Sequence, residues 1–242
     1  MNPLIYAHRG ASGNYPENTM NAFRAAVEQG ADGIEIDVQL TRDGEPVVIH
    51  DHNLDRTTTG KGSVQAHTLK EIRKLNAGRW FDPSLRQVRV PHLVEVLSLI
   101  QTTRVKLIIE LKNFVVAQPG LEEITVDLIN HFKVRDLVTI SSFNYNSLQQ
   151  VKVLNPLQKT AMLYFGNLQT PWQVAKQYHA DEIHAPHAQL TPALVEDCQK
   201  HATTIVAWTV NERADLERVI RMGVDGVITD FPHLAKKIVK TK

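Results

Sequence analysis

Short apolar runs of strand length alternate with longer amphipathic segments along most of this chain. In the amphipathic segments, apolar positions recur three and four residues apart, which is the spacing of a helix with one buried face. The pattern predicts strands at 4–8, 33–38, 46–50, 106–112, 137–143, 160–165, 182–187, 204–210 and 226–230. It predicts helices at 16–30, 93–100, 121–132, 146–154, 171–179, 192–201 and 212–222, then a basic helix at the C-terminus. Such repeated strand–helix units indicate a largely parallel sheet.

The second and third runs are joined too closely to be parallel neighbours, because a parallel crossover needs about a dozen residues. Between them stands Asp-Gly at 43–44, which is a strong signal for a two-residue hairpin loop. We therefore predict an antiparallel hairpin at 33–50, in which Arg42 lies opposite Glu45.

Two carboxylates stand out in the first strand of this hairpin. Glu35 and Asp37 are two residues apart, so on a strand they share one face while apolar residues occupy the other. A buried parallel strand is normally apolar on both faces, and buried carboxylates are costly unless a cation lies between them. The expected register places Asp37 opposite His50 and Glu35 opposite His52. A salt-bridged hairpin on a solvated face is the alternative, but the apolar surroundings of the two acids favour a buried site.

The number of strands points to a barrel. When the antiparallel hairpin strand is set aside, eight parallel strands remain, and this is the count of a (β/α)8 TIM barrel of about 250 residues. An open doubly wound sheet is the rival, but the first strand–helix turn, His-Arg-Gly-Ala-Ser-Gly, lacks the Gly-x-Gly-x-x-Gly fingerprint. Residues 51–91 show no barrel strand. We expect them to form an insertion that caps the active-site end of a single domain spanning 1–242.

The composition excludes several classes of function. The 27 basic and 26 acidic residues give a net charge of +1, so no global field attracts nucleic acid or an anionic membrane. Cys198 is the single cysteine, which excludes an intrachain disulfide. The N-terminus lacks the basic and apolar regions of a secretory signal, and no apolar run approaches the ~20 residues of a membrane span. We therefore expect a cytoplasmic protein with no nucleic-acid partner and no stable membrane anchor; the oligomeric state stays open.

A third carboxylate and a lysine are expected beside the first two acids. In a TIM barrel the active site lies at the carboxyl ends of the strands, where Glu110 and Lys112 again share one face. Alone, these two would be read as an ion pair within a strand. Beside Glu35 and Asp37, Glu110 completes a trio whose repulsion requires protonation or a cation. Oxygen ligands select a hard divalent ion, so we expect one Mg²⁺ or Ca²⁺, with Mn²⁺ as a further candidate.

Two histidines and two basic residues fall at the same rim. His8 and His50 end their strands, and an imidazole titrates near neutral pH, which suits proton transfer. Arg9 and Lys112 supply positive charge suited to a phosphate. A metal, two cations and a histidine pair together favour phosphoester hydrolysis.

An ordered set of motifs from residue 7 to residue 231 resembles the glycerophosphodiester phosphodiesterase family, above all its short cytoplasmic bacterial members. The motifs are His8-Arg9-Gly10, Pro16-Glu17-Asn18-Thr19, Glu35-Ile36-Asp37-Val38, the hairpin Thr-Arg-Asp-Gly, Val48-Ile49-His50-Asp51, Leu54-Asp55-Arg56-Thr57-Thr58, Glu110-Leu111-Lys112, Ser142-Phe143, Trp208-Thr209-Val210-Asn211 and Thr229-Asp230. Each motif alone is weak, but their order over nearly the whole chain is specific.

The resemblance implies a metal-dependent hydrolase that converts a glycerophosphodiester into sn-glycerol 3-phosphate and an alcohol. The roles it implies are metal binding by Glu35, Asp37 and Glu110, acid/base catalysis by His8 and His50, phosphate binding by Arg9 and Lys112, packing on the organic part of the substrate by Phe143 and Trp208, and support of the site by Glu17 and Asn18. The insertion at 51–91 would cover the substrate. His52, His184 and His187 are expected to be structural or peripheral.

Two alternative functions stay open. A lysophospholipase D-like enzyme on the same scaffold would need an apolar groove lined from the insertion, for which Trp80 and Phe81 are candidates. A barrel that binds phosphodiesters without cleaving them is disfavoured, because every implied catalytic residue is present. The sequence also leaves open whether water or a neighbouring glycerol hydroxyl, through a cyclic phosphate, attacks the phosphorus.

Overall fold

The computed structural model describes residues 2–240. In these residues the strands and helices follow in the order β1 (Leu4–His8), α1 (Met20–Glu28), β2 (Gly33–Leu40), β3 (Pro46–Val48), α2 (Leu69–Ile72), α3 (Leu93–Thr103), β4 (Lys106–Leu111), α4 (Leu121–Phe132), β5 (Val138–Ser142), α5 (Tyr145–Leu154), β6 (Lys159–Leu163), α6 (Pro171–Gln177), β7 (Glu182–Pro186), α7 (Pro192–Lys200), β8 (Thr204–Trp208), α8 (Arg213–Met222), β9 (Gly226–Thr229) and α9 (Pro232–Lys240). Short 3₁₀ turns occupy Val64–Ala66, Arg135–Leu137 and His187–Gln189.

Eight of these strands are parallel and close into a barrel. The sheet runs β1-β9-β8-β7-β6-β5-β4-β2, and β1 pairs with β2 to close it. The remaining strand, β3, is antiparallel and lies against the end of β2. The predicted (β/α)8 barrel with an antiparallel hairpin is therefore confirmed.

The side chains of the strands divide between the helices outside the barrel and its interior. On β2, Ile34, Ile36 and Val38 pack outward with helix residues such as Phe23 and Leu97. The same division on β7 sends Ile183 and Ala185 outward, into the second large core cluster. The residues between them face the barrel interior, since successive side chains on a strand point to opposite faces. Polar residues of β2, β4 and β7 are thereby brought into one enclosed space.

The first helix begins later than the proline signal predicts. Residues 16–19 form a turn, and α1 starts at Met20 rather than at Pro16. The hydroxyl of Thr19 accepts a hydrogen bond from the backbone N–H of Ala22 at 3.3 Å and so caps the helix. The prediction gave priority to Pro at the first helical position, but the Thr cap decides the start. The turn at 16–19 therefore lies before the helix and can contact the carboxyl ends of the strands.

The predicted hairpin register is wrong by one residue. Val38 lies opposite Val48, and the chain reverses through three residues between Thr41 and Glu45, whose backbones pair at 3.0 Å. Gly44 has φ +78°, a conformation that favours glycine and is typical of a three-residue hairpin loop. Asp37 is consequently paired with Ile49, whose N–H donates to its carbonyl oxygen at 3.0 Å, and not with His50.

This one-residue difference in register also changes the expected partners of His50 and His52. A shift of one residue moves a side chain to the other face of a strand. β3 ends at Val48, so His50 and His52 lie in the irregular chain that follows it. His52 is not opposite Glu35; its Nδ1 contacts the side-chain oxygen of Gln39 at 2.7 Å.

Residues 51–91 have a small core of their own beside the barrel. It contains buried residues of the segment, among them Leu54, Val64 and Ile72, together with Val47 and Ile49 of the hairpin. Within this segment the structure contains the short helix α2 and a 3₁₀ turn, but no barrel strand. Among the described helices of the whole chain, none is long and apolar enough to cross a bilayer.

Candidate active site

Three carboxylates meet inside the mouth of the barrel. Glu35 and Asp37 come from β2, and Glu110 comes from β4, where its Cα is the partner of Asp37. One oxygen from each lies within 4.8 Å of the others, and Glu35 and Asp37 are buried. The adjacent strands therefore produce the trio that the sequence predicted.

The three acids differ in their electrostatic surroundings. Burial, then repulsion from Asp37 and Glu110, raises the pKa of Glu35 well above its usual value. Burial and repulsion from Asp37 likewise raise the pKa of Glu110, to about 7. Burial also opposes charge on Asp37, but Arg9 and Lys112 outweigh it and hold the pKa of Asp37 below its usual value.

The arrangement fits a divalent cation. Each acid can offer an oxygen to one common point, and oxygen donors are the ligands that hard divalent ions prefer. The raised pKa values of Glu35 and Glu110 reflect burial and then repulsion between the acids, and such an ion would relieve the repulsion. Glu35, Asp37 and Glu110 thus form a candidate metal site on the donor chemistry of this chain.

Arg9 is held against the acids by an unusual turn at the end of β1. It has φ +54°, and its backbone N–H donates to Oε2 of Glu35 at 3.0 Å. Its guanidinium reaches Asp37 (Nε to Oδ2, 3.3 Å) and Glu17 (Nη1 to Oε1, 2.8 Å). The next residue, Gly10, has φ +84°, and a Cβ there would lie 2.7 Å from Ala22. Only glycine fits this close approach to α1, which keeps Arg9 in place.

Asn18 fixes Asp37 from the turn before α1. Its side-chain amide donates to Oδ2 of Asp37 at 2.8 Å, and its own backbone N–H donates to the carbonyl oxygen of Arg9 at 3.0 Å. Asn18 has φ +54°, which asparagine tolerates better than most residues. The position of Asp37 is therefore set by Asn18, Arg9 and, on the other side, Lys112 (Nζ to Oδ1, 3.6 Å). Lys112 also bonds Glu110 at 2.7 Å, so the ion pair that the sequence offered as the alternative to a metal site is present together with the cluster of three acids.

The two histidines of the rim each have a carboxylate at one ring nitrogen. Nδ1 of His8 lies 2.6 Å from Oδ1 of Asp230, and Nδ1 of His50 lies 2.7 Å from Oδ1 of Asp51. Such a partner fixes the tautomer and orientation of an imidazole and leaves Nε2 for other contacts. Burial lowers the pKa of His50, although Asp37 and Asp51 oppose that shift. Both rings line the cavity that contains the acids.

That cavity has a volume of about 170 Å³. The residues around it are His8, Arg9, Glu35, His50, Glu110, Lys112, Ser141, Phe143, Leu163, Phe165, His184, Trp208, Thr209 and Ile228. The cavity thus brings together every residue predicted for acid/base, phosphate and substrate contact, with two of the predicted metal ligands. Asp37 lies beneath it, in contact with Arg9 and Lys112. Glu17 and Asn18 reach the site through Arg9 and Asp37.

An aromatic wall stands opposite the acids. Phe143 stacks on Phe165 with ring centroids 4.2 Å apart, and Trp208 lies edge-on to both at 5.8 and 6.0 Å. Phe114 extends the wall, 6.2 Å from Phe143. A neighbouring apolar groove of about 490 Å³ runs from Glu110 and Lys112 past Phe114, Phe143 and Phe165.

The groove is not lined by the insertion aromatics that the sequence suggested. Trp80 and Phe81 pack against each other, 5.7 Å apart, and neither lines the groove or the cavity. Trp80 instead lies near the guanidinium of Arg56, 6.0 Å from its ring. Phe114 and Phe165 line the groove where Trp80 and Phe81 were expected, because the loops after β4 and β6 lie at the mouth of the barrel.

Several site residues received no role from sequence reasoning. Arg56 donates to both oxygens of Glu17 and to both oxygens of Asp51, at 2.7–2.9 Å, and so ties the insertion to His50 and Arg9. Asp230 holds His8 and accepts from Asn211 at 2.6 Å. Arg56, Asp51 and Asp230 all stand in the motifs of the resemblance, and a search for a carboxylate partner of each histidine would have indicated the two acids.

His184 lies in the cavity, while the other histidines set aside do not. Its side chain is completely buried at the floor. His52 contacts Gln39, and Nδ1 of His187 lies 3.1 Å from Nη2 of Arg218.

Comparisons with known proteins agree with this geometry. A model described as "Glycerophosphoryl diester phosphodiesterase family" matches residues 8–234. The chain is 45% identical to a glycerophosphodiester phosphodiesterase of Caldanaerobacter subterraneus subsp. tengcongensis, over 99% of both chains. It is 41% identical to one from Bacillus altitudinis, over 97% of each. Among solved structures, an Oleispira antarctica phosphodiesterase in complex with the product sn-glycerol-3-phosphate has a TM-score of 0.91 and 30% identity, covering 99% of this chain and 97% of that one.

Proposed function

Because this chain belongs to the glycerophosphoryl diester phosphodiesterase family, we propose that it hydrolyses glycerophosphodiesters to sn-glycerol 3-phosphate and an alcohol. One observation carries the proposal: two carboxylate-bonded histidines, two cations and two of the three clustered acids line a single cavity, with the third acid, Asp37, in contact with both cations. The product named for the Oleispira antarctica structure supports the substrate class.

Glu35, Asp37 and Glu110 would hold one divalent cation, Mg²⁺ or Ca²⁺, with Mn²⁺ as a further candidate. When bound, such an ion supplies Lewis-acid polarisation of a phosphate oxygen. The protein contributes a fixed set of donors, since Asn18 and Arg9 hold Asp37 and the backbone of Arg9 holds Glu35.

His8 and His50 serve as the acid/base pair. One Nε2 takes a proton from the attacking water, or from a glycerol hydroxyl whose attack forms a cyclic phosphate that water then opens to sn-glycerol 3-phosphate. The other Nε2 gives a proton to the oxygen of the leaving alcohol. Asp230 and Asp51 at the opposite ring nitrogens stabilise the protonated rings, as expected for histidines that transfer protons.

Arg9 and Lys112 bind the phosphate and the negative charge that grows on it in the transition state. Both are already positively charged neighbours of the acids, since Asp37 raises the pKa of each against the effect of burial. Glu17 and Asn18 position Arg9 and Asp37, while Phe143 and Trp208 contact the organic part of the substrate. Residues 51–91 cap this end of the single domain, where Arg56 links them to Glu17.

The test is the release of sn-glycerol 3-phosphate from glycerophosphocholine. We expect activity that disappears after EDTA treatment and dialysis and returns with one of Mg²⁺, Ca²⁺ or Mn²⁺, which also identifies the ion. Full activity in EDTA would contradict the proposed role of the metal. Binding of substrate without turnover would contradict the proposed enzymatic activity. The cytoplasmic location expected from the sequence stays a prediction, for which fractionation of the source cells is the measurement.

The apolar groove favours lysophospholipids as a second candidate substrate class. Phe114, Val115 and Phe165 are 60%, 78% and 67% exposed at its edge, and the groove continues from the cavity through His50, Glu110 and Lys112. An acyl chain attached to the glycerophosphate could cover these side chains. The candidate predicts that Val115→Ser slows cleavage of lysophosphatidylcholine but not of glycerophosphocholine. Val153→Ser is the matched control, because Val153 is 76% exposed on α5. Equal effects of both variants on the two substrates would contradict it.

A further inference from the structure

The floor of the cavity carries a histidine that the proposed reaction does not use. His184 lies on β7, on the face opposite Ile183 and Ala185, so its side chain points into the barrel. It lines the same cavity as His8 and Lys112, whose side chains are 20% and 14% exposed, but is itself 0% exposed. His184 therefore lies deeper than the groups that would handle the phosphate.

Only one ring nitrogen of His184 has a partner among residues 2–240. Nε2 lies 3.4 Å from Oε2 of Glu182, whereas Nδ1 is buried with no hydrogen-bond partner. Oε1 of Glu182 accepts from the hydroxyl of Thr139 at 3.4 Å. A carboxylate can only accept hydrogen bonds, so in the neutral ring its contact places the proton on Nε2 and leaves a lone pair on Nδ1.

A buried acceptor without a donor is unfavourable and uncommon, and it calls for an explanation. At the floor of a substrate cavity, the explanation that fits is a ligand atom that donates a hydrogen bond. The other side chains at this depth are apolar, such as Leu163 and Ile228, or engaged, such as Ser141, whose hydroxyl contacts the carbonyl oxygen of Ile109 at 3.5 Å. A substrate can supply the donor that Nδ1 lacks, and a hydroxyl is the donor that a glycerophosphodiester has.

The size of the cavity selects which part of the substrate enters it. Its volume of about 170 Å³ corresponds to about five or six waters at roughly 30 Å³ each. A three-carbon glycerol unit fits such a space, while a larger alcohol would extend into the apolar groove outside. With the phosphate at Arg9 and Lys112, the hydroxyl farthest from the phosphorus lies nearest the floor.

We propose that Nδ1 of His184 accepts a hydrogen bond from the terminal hydroxyl of the substrate's glycerol, with Glu182 fixing the tautomer of the ring. The proposal rests on the proposed function and adds a specificity-determining residue to it. A diester without that free hydroxyl, including a lysophospholipid acylated at that oxygen, leaves Nδ1 buried and unsatisfied, so the site discriminates against it and favours glycerophosphodiesters over the second candidate class.

The experiment compares two substrates that differ by one oxygen atom. They are 2,3-dihydroxypropyl and 2-hydroxypropyl p-nitrophenyl phosphate, which share the leaving group and the neighbouring hydroxyl. We expect the wild-type enzyme to prefer the dihydroxypropyl ester by about 10- to 100-fold in kcat/KM. Equal kcat/KM values would overturn the subsite. Absence of glycerophosphocholine hydrolysis would instead overturn the proposed function, so the two failures are distinguishable.

Two amide variants separate recognition from structure. In His184→Asn the side-chain oxygen can occupy the position of Nδ1, whereas in His184→Gln the amide extends to the position of Nε2, beside Glu182. We expect His184→Asn to keep most of the preference and His184→Gln to reduce it to within about threefold of equality, mainly by slowing the dihydroxypropyl ester. If His184→Gln slows both esters equally and leaves their ratio unchanged, His184 is merely structural and the proposal is wrong. Glu182→Gln, which relaxes the choice of tautomer, should give an intermediate ratio.

Discussion

The two halves of the barrel mouth differ in chemical character. The half formed by β1, β2 and β4 with the adjoining hairpin carries all of the proposed metal, phosphate and acid/base residues. The half formed by β5 to β8 presents uncharged side chains to the cavity, namely Phe143, Phe165, His184 and Trp208 with smaller neighbours. The contrast separates bond cleavage from recognition of the organic parts of the substrate.

The charged residues lie together because each buried charge is stabilised by an opposite charge close to it. Asp37 on the central strand β2 contacts Arg9 from one neighbouring strand and Lys112 from the other. Opposite charges stabilise one another only over short distances, so buried acids and bases are tolerated where adjacent strands place them side by side. Four predictions test this division.

Loss of His8 or of His50 should have the largest effect on kcat. His8→Ala and His50→Ala each remove a group proposed to transfer a proton, and we expect kcat to fall by about 10²- to 10⁴-fold with little change in melting temperature. The measurement is release of sn-glycerol 3-phosphate from glycerophosphocholine. His201→Ala is the control, since His201 stands between α7 and β8, before the strand begins. Wild-type turnover in His50→Ala would show that the charged half is assigned incorrectly.

Lys112→Met should come next. It removes the positive charge that contacts both Glu110, at 2.7 Å, and Asp37, at 3.6 Å, so the transition state loses a donor, and we expect kcat to fall by about 10²-fold. Lys106→Met is matched to it, because Lys106 begins the same strand and lies at the opposite end of the barrel. A similar loss of activity in both variants would mean that the position of the lysine along β4 does not affect catalysis and that the effect is structural.

The comparison also shows what the sequence could predict. Periodicity predicted the elements well where one face is buried: α4 spans the predicted 121–132, and Ile34, Ile36 and Val38 face outward as expected. The convergence of Glu35, Asp37 and Glu110 follows from the same period of two and from strand adjacency. These features depend on local repeats, which a single sequence records.

Features set by loop geometry were harder to predict. Asp-Gly fits both a two- and a three-residue hairpin loop. The predicted register was therefore wrong by one residue, and the prediction paired His50 with the wrong residue. Phe114 stands in the loop after β4, where no periodicity applies, and Phe165, the last residue of the predicted strand 160–165, lies just past the end of β6. His184 was expected to be structural or peripheral, and its place in the cavity and its unpartnered Nδ1 distinguish it from His52 and His187.

The pH dependence of stability without metal tests the electrostatics of the charged half. Unfolded chain loses the Glu110 proton near the usual pKa of 4.5, whereas the folded protein retains it to about 7. Between these values the folded state binds more protons, so this residue lowers the free energy of unfolding as pH rises. We expect Glu110→Gln, treated with EDTA, to gain about 1 to 3 kcal/mol relative to wild type between pH 5 and pH 8.

Urea titrations at the two pH values measure this difference. Addition of a divalent ion at pH 8 should stabilise the wild type and not Glu110→Gln, because only the native wild type offers the full set of oxygens. A wild type and variant that differ by the same amount at both pH values would show that Glu110 is not strained by its neighbours.

The smallest effect is expected in the uncharged half. Phe165→Ala removes the ring that stacks on Phe143 at 4.2 Å, and an aromatic pair contributes about 0.5 to 1.5 kcal/mol beyond its buried area. Because this wall contacts the organic part of the substrate and no proposed proton transfer involves it, we expect KM to rise about 2- to 10-fold with kcat unchanged. Phe81→Ala is the matched control, since it breaks the pair with Trp80 at 5.7 Å outside the cavity and should leave both constants unchanged. A fall in kcat comparable to that of Lys112→Met would erase the distinction between the two halves, since the uncharged wall would then contribute to cleavage itself.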